Sequence, residues 1–152
     1  MERSRYFEDY LVGEERRTYG RTITEADFVV HAGHTGDFFP HHMDAEAMKE
    51  SEWGQRIAHG TMTFAIGIGL TASEINPLAF TYGFERLRFP KPVFVGDTIH
   101  TVLTIAALEP DPKRLDYGRI TETVRVMNQR DEVVLACDHI YLARRSGAAA
   151  KA

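Results

Sequence analysis

The chain has 152 residues, 43% apolar and 26% charged, an ordinary balance for a globular protein and enough for one domain with a sizeable core. Its formal net charge of −4 argues against the basic face that a nucleic-acid binder shows. A single cysteine, Cys137, rules out an internal disulfide and a cysteine-rich metal site, and fits a reducing cytoplasm. Met1 to Tyr6 lacks an apolar signal core. No stretch reaches the roughly 18 apolar residues needed to span a bilayer, and Met62–Ala72 comes nearest. A cytoplasmic protein without membrane contact is expected.

Neither an internal repeat nor a linker divides the sequence, so one domain over 1–152 is expected, with an ordered core over 6–144 and a flexible tail over 145–152. Arg144, Arg145 and Lys151 read as solvated residues of that tail. Residues 1–14 are mixed and irregular. Arg16 to Ile23 carries Thr and Tyr in partial alternation and predicts a first strand. Thr24 is placed to cap a helix that Asp27 favours in its first turn and that Gly33 and Gly36 end. Asp44 caps a short second helix to Lys49, and Ser51–Arg56 is a polar loop.

Gly60 then opens a third helix, about Thr61 to Glu74. Met62, Phe64, Ala65, Ile66, Ile68 and Leu70 make it apolar nearly all round, the mark of a buried helix. Gly67 and Gly69 cost it stability, which makes sense where something packs very close. After Asn76-Pro77 the pattern turns to strands at about 79–88, 98–108, 117–128 and 133–142, with Gln129-Arg130-Asp131 a tight connection. One strand, then helices, then four strands is an α+β plan, an antiparallel sheet packed on helices. Cys137 lies in an apolar run and reads as a small buried hydrophobe.

Thr35-Gly36-Asp37-Phe38-Phe39-Pro40-His41-His42 carries the chemistry. Pro40 removes a backbone donor and pushes Phe39 towards an extended conformation, so Asp37 and His42 flank a built turn. Five positions apart there, a carboxylate and an imidazole can grip one water and share its protons, which is general acid–base chemistry. The plainer alternative is a capped turn with Asp37 bonded to backbone amides.

Three ordered segments resemble the MaoC-like, (R)-specific enoyl-CoA hydratases of the hotdog fold. Gly36-Asp37-Phe38-Phe39-Pro40-His41-His42-Met43-Asp44 looks like their Gly-Asp-x-Asn-Pro-x-His signature. Arg56-Ile57-Ala58-His59-Gly60 looks like their Ile-Val-His-Gly helix start, and Leu87 to Ile99 like their strand, corner and strand. The likeness runs from about Tyr6 to about Arg144. It departs at Phe39, where an Asn is usual, at His41, where an aliphatic residue is common, and at Ile68, which aligns with a Ser of some relatives.

The resemblance implies an antiparallel sheet wrapped on a central buried helix, pairing into a homodimer or larger homo-oligomer with sites between subunits. It implies a lyase of fatty acyl metabolism that adds water to a trans-2-enoyl-CoA, giving the (R)-3-hydroxyacyl thioester. Coenzyme A enters as part of the substrate, with no metal and no redox cofactor. Asp37 and His42 are the implied acid–base pair. The Gly60 amide is the implied donor to the thioester oxygen, against a glycine kept for tight packing. Phe39 is expected to wall the acyl pocket or to shield Asp37. His59 shapes the pocket or bonds a neighbouring backbone. Arg86, Arg88 and Lys91 form a basic cluster, a solvated face or a contact for coenzyme A phosphates, and Arg88 is the candidate among them. His31, His34 and His41 crowd the same region without the spacing of a helical metal site. His100 and His139, in strand patterns, read as structural or exposed. A non-catalytic acyl-thioester-binding hotdog module and a hotdog thioesterase are the alternatives.

Overall fold

The computed structural model describes residues 4–73 and 76–147. After a 3-10 turn at Phe7–Asp9 come β1 (Glu15–Arg17), β2 (Arg21–Thr22), α1 (Glu25–Thr35), α2 (Pro40–Met43), α3 (Ala45–Lys49) and α4 (Gly60–Gly69). The long strands follow: β3 (Ala79–Arg88), β4 (Thr98–Pro110), β5 (Tyr117–Met127) and β6 (Val133–Arg144). All pairings are antiparallel, in the order β1-β4-β5-β6-β3, with β2 also on β4. α4 lies against the inner face of this sheet, which is the hotdog arrangement.

Four expectations need correction. The first strand is two short pieces, β1 and β2, because the chain breaks its pairing at Tyr19-Gly20 between them. Gly33 does not end α1; Gly36 does, at φ 78°, a left-handed cap that glycine adopts without strain. Thr24 does not cap with its own side chain; the Asp27 carboxylate accepts from both the Thr24 amide and its hydroxyl at 2.8 Å. Position 145 is not the start of a loose tail. The Arg145 amide donates to the Asp116 carbonyl at 2.9 Å, and its guanidinium pairs with Glu8 at 3.1 Å. Residues 148–152 lie outside the described residues.

α4 continues as a 3-10 turn over Leu70–Ser73, and its expected end, Glu74, lies outside the described residues. Met62, Gly67 and Leu70 are buried among Leu103, Val124, Val126 and Leu135 of the strands. A Cβ on Gly67 would sit 2.5 Å from a Val126 methyl, and the Thr101 hydroxyl donates to the Gly67 carbonyl at 2.7 Å. The close approach expected there is real. A Cβ on Gly69 would meet nothing beyond its own helix within 4 Å among the described residues. Thr61, Ala65 and Gly69 form an exposed stripe, so within the described protomer the helix is not covered all round. Cys137 is buried, and burial beside Asp138 pushes its thiol up to about 11, as an inert core residue requires.

The connection between β5 and β6 is tied by Glu132, which accepts from Asn128 at 2.9 Å, Lys91 at 2.6 Å and Arg130 at 3.0 Å. These donors lower its carboxyl from 4.5 to about 2. A carboxyl whose pKa falls on folding stabilises the fold above its unfolded value, and that help is lost as pH falls through the folded one. Glu132→Gln should therefore be less stable than wild type at neutral pH, and the gap should close between pH 4.5 and about 2. Urea unfolding of both proteins across that range is the check; a gap that persists at the acid end would contradict it.

Candidate active site

Asp37 leaves the left-handed cap at Gly36, and its amide donates to the Thr35 hydroxyl at 3.3 Å. One carboxylate oxygen, Oδ1, accepts from the Phe39 amide at 3.2 Å, a local turn of the kind short acidic side chains make. The capped-turn alternative is thus realised, but it occupies only that oxygen. Phe39 is extended at ψ 141°, and Pro40 starts the one-turn helix α2 that carries His42. This helix returns the imidazole towards the carboxylate, with Oδ2 of Asp37 and Nε2 of His42 4.0 Å apart.

That gap is too wide for a direct hydrogen bond and suits one water within about 2.8 Å of both atoms. Asp37 is 49% exposed and His42 15%, so the pair is reachable from outside. His42 Nδ1 sits 2.7 Å from the Ile57 carbonyl, which can only accept. The proton of a neutral His42 is therefore on Nδ1, and the Nε2 lone pair faces Asp37.

His59 holds the two together. Its ring stacks on His42 with centroids 3.8 Å apart, and its Nε2 donates to the Asp37 carbonyl at 2.9 Å. It is buried, and its Nδ1 has no hydrogen-bond partner among the described residues. The backbone-bonding role expected of His59 is the observed one. His31 closes the stack, 4.8 Å from the His59 centroid and 2.8 Å from the Thr61 hydroxyl. Burial, with His59 and His34 close by, lowers its pKa, which favours a neutral ring. Asp37, His42 and His59 offer donor atoms within 4.8 Å of one another, so the expected lack of a metal meets here a set of groups that could hold one.

Gly60 begins α4 directly after His59. Its amide has no acceptor among the described residues and lies at the helix end where unpaired amides favour negative charge. A Cβ on Gly60 would stand 3.0 Å from the Phe89 ring, so tight packing and an available donor coincide. His42, Gly60, Trp53 and Phe89 line a cavity of about 340 Å³. Phe89 and the Ile57 carbonyl were not singled out from the sequence, although both lie in the segments that carry the resemblance.

Phe39 is 55% exposed and meets His41 edge-on at 4.7 Å. Within one protomer it neither walls this cavity nor covers Asp37, because the extended backbone at Phe39 turns its ring outward. Of the basic cluster, Arg86 is tied to Asp138 and Lys91 to Glu132. Arg88 is exposed, bonds only the Arg86 carbonyl at 3.1 Å, and has no carboxylate partner among the described residues. Ile68 is half-buried and packs against the core.

A sheet curled on one buried helix, with a carboxylate–imidazole pair beside the start of that helix, defines a hotdog protein. Residues 9–126 match the family model for the MaoC like domain, and the chain belongs to the MaoC-like dehydratase family. It is 32% identical over 130 residues to a 3-hydroxybutyryl-CoA dehydratase of Methylorubrum extorquens, covering 86% of this chain and 78% of that one. It is 29% identical over 119 residues to an (R)-specific enoyl-CoA hydratase of Rhodospirillum rubrum, covering 78% and 81%. The Klebsiella aerogenes Protein MaoC is 43% identical over 101 residues, 66% of this chain but only 30% of that much longer protein. A solved MaoC-like dehydratase from Rhodospirillum rubrum superposes with a TM-score of 0.84 at 30% identity, covering 95% of this chain and all of that one. No helix among the described residues is long and apolar enough to cross a membrane.

Proposed function

We propose that the protein hydrates a trans-2-enoyl thioester to the (R)-3-hydroxyacyl thioester, and runs the reverse dehydration, with no redox cofactor and no metal. The observation that carries this reading is the 4.0 Å gap between Asp37 Oδ2 and His42 Nε2, with the other His42 nitrogen committed to Ile57. A water held in that gap loses a proton to the pair as its oxygen bonds the β-carbon. The pair returns a proton to the α-carbon, so it ends the cycle unchanged. Negative charge gathers on the thioester oxygen meanwhile, and the Gly60 amide is the donor placed to meet it. Arg88 at the end of β3, without a carboxylate partner among the described residues, is the cation for the phosphates of coenzyme A. The dehydratase and hydratase names of the relatives support the same chemistry.

Loss of enoyl-thioester absorbance without release of free thiol is the expected result on a panel of enoyl-CoA substrates. Thiol release would make the protein a thioesterase, and saturable binding with neither change would make it a binding module.

The protein should also be a dimer. Among the described residues β3 ends the sheet with one edge unpaired, and Phe80, Tyr82 and Leu87 along it are exposed. An open edge carrying large apolar groups needs cover, and a two-fold pairing of like edges is the common solution. Light scattering at micromolar concentration should give twice 17.2 kDa or more; a stable monomer would count against it.

A further inference from the structure

α1 carries an imidazole where its packing asks for an apolar group. Phe28, His31, Ala32 and Thr35 fall on one face of the helix, at the i, i+3, i+4, i+7 spacing. Phe28 and Ala32 are buried, and Phe28 meets the His59 ring edge-on at 6.3 Å. His31 stands beside them, half-buried, and the proposed chemistry does not use it. A leucine would fill the same stripe without a polar ring to desolvate.

What the imidazole adds is contact with both neighbours of Gly60. Its Nε2 is 2.8 Å from the Thr61 hydroxyl, and its ring lies 4.8 Å from that of His59. Residues 59 and 61 flank the glycine that opens α4, so one side chain of α1 grips the chain before and after that amide. The same turn of α1 also holds Asp37. The Thr35 hydroxyl donates to the His31 carbonyl at 2.8 Å and accepts from the Asp37 amide at 3.3 Å. His59 then bonds the Asp37 carbonyl and stacks on His42. The start of α4 and the loop that carries the acid–base pair are thus tied to one point on a third element. Such a tie matters because a donor helps only when aimed at the place where charge develops, and a misplacement of about 1 Å can cost about 100-fold.

We infer that His31 is a positioning residue of this site: by gripping Thr61 and backing His59 it fixes the Gly60 amide relative to Asp37 and His42. The inference rests on the hydration reading above. His31 touches neither the thioester nor the reacting water, so it governs the rate of the chemical step and leaves thioester binding alone.

The test compares His31→Leu, which keeps the stripe filled, with His31→Gln, whose side-chain amide can still bond Thr61, and with Thr61→Val, which removes only the hydroxyl. His31→Leu and Thr61→Val should each lower kcat about tenfold, the scale of one net hydrogen bond, with KM little changed. His31→Gln should recover most of that loss. The double variant His31→Leu/Thr61→Val should be no slower than His31→Leu, since both remove one bond. Thermal unfolding of His31→Leu should come no earlier than that of wild type. The second readout is the infrared carbonyl band of a bound saturated acyl-CoA, which cannot be hydrated. Wild type and Asp37→Asn should shift the band to lower frequency, and His31→Leu and Thr61→Val should shift it less. Normal kcat in His31→Leu and Thr61→Val would overturn the inference and leave His31 a packing residue. So would a loss of kcat with the carbonyl band unmoved, or an equal loss in His31→Gln. A band shift in wild type that His31→Leu weakens, in a protein that hydrates no enoyl thioester, would sink the hydratase reading and leave the positioning of Gly60 by His31 standing.

Discussion

Asp37→Asn and His42→Ala should each slow hydration of the best enoyl thioester by at least about 100-fold, the lower end of what positioned acids and bases contribute. Asp37→Asn keeps an oxygen that can accept from the Phe39 amide, as Oδ1 now does at 3.2 Å, so the turn survives while the charge facing His42 is lost. His42→Ala removes Nε2 and leaves the Ile57 carbonyl without its donor, at a site near the surface where water can replace it. Folding should therefore change little in either variant. In the proposed mechanism the two groups handle one water, so the double variant should be scarcely slower than the worse single one. Steady-state kcat/KM for the three variants, with circular dichroism to confirm folding, decides it. Near-normal rates in both single variants would remove Asp37 and His42 from the chemistry.

Gly60→Ala should cost roughly tenfold to a hundredfold in kcat, with folding preserved. The new methyl would sit 3.0 Å from the Phe89 ring, tighter than side chains normally pack. Either the exposed ring swings away or the first turn of α4 shifts by a few tenths of an ångström. A shift of that turn moves the amide proposed to meet the thioester oxygen, and losing one such donor costs about 2.7–4 kcal/mol. Phe89→Leu in the same chain makes room for the methyl. It should recover most of the lost rate if helix displacement is the cause. A Gly60→Ala enzyme of normal kcat would show that the amide does not act on the reacting oxygen, and that this glycine serves packing alone.

The parts of this molecule legible before folding are those governed by local rules. β3 begins and ends at Ala79 and Arg88 as the alternation and the preceding Asn76-Pro77 require. Asp44 caps α3 by accepting from the Ala47 amide at 2.9 Å, because a short carboxylate at that position has one obvious donor. Asp37 and His42 could be paired from the turn that Gly36 and Pro40 impose between them. Other features depend on what lies far off in the chain. His59 proves to be the element joining Asp37 to His42 only once α4 and the loop are brought together, 22 positions apart. Phe89 meets Gly60, and Glu122 meets Arg16 and His139, only after the sheet has formed. Glu122 is not among the residues singled out from the sequence, and no local signal names its partners.

The sequence by itself determined the α+β plan, the buried helix with its close-packed Gly67, and the carboxylate and imidazole of the dyad. These follow from periodicity, turn chemistry and the reach of neighbouring side chains. Only the tertiary structure decided that His42 is oriented by Ile57, that Gly60 offers its amide beside Phe89, and that His31 reaches both neighbours of Gly60. Each of these joins residues on different elements, and such contacts depend on how strands and helices pack in space.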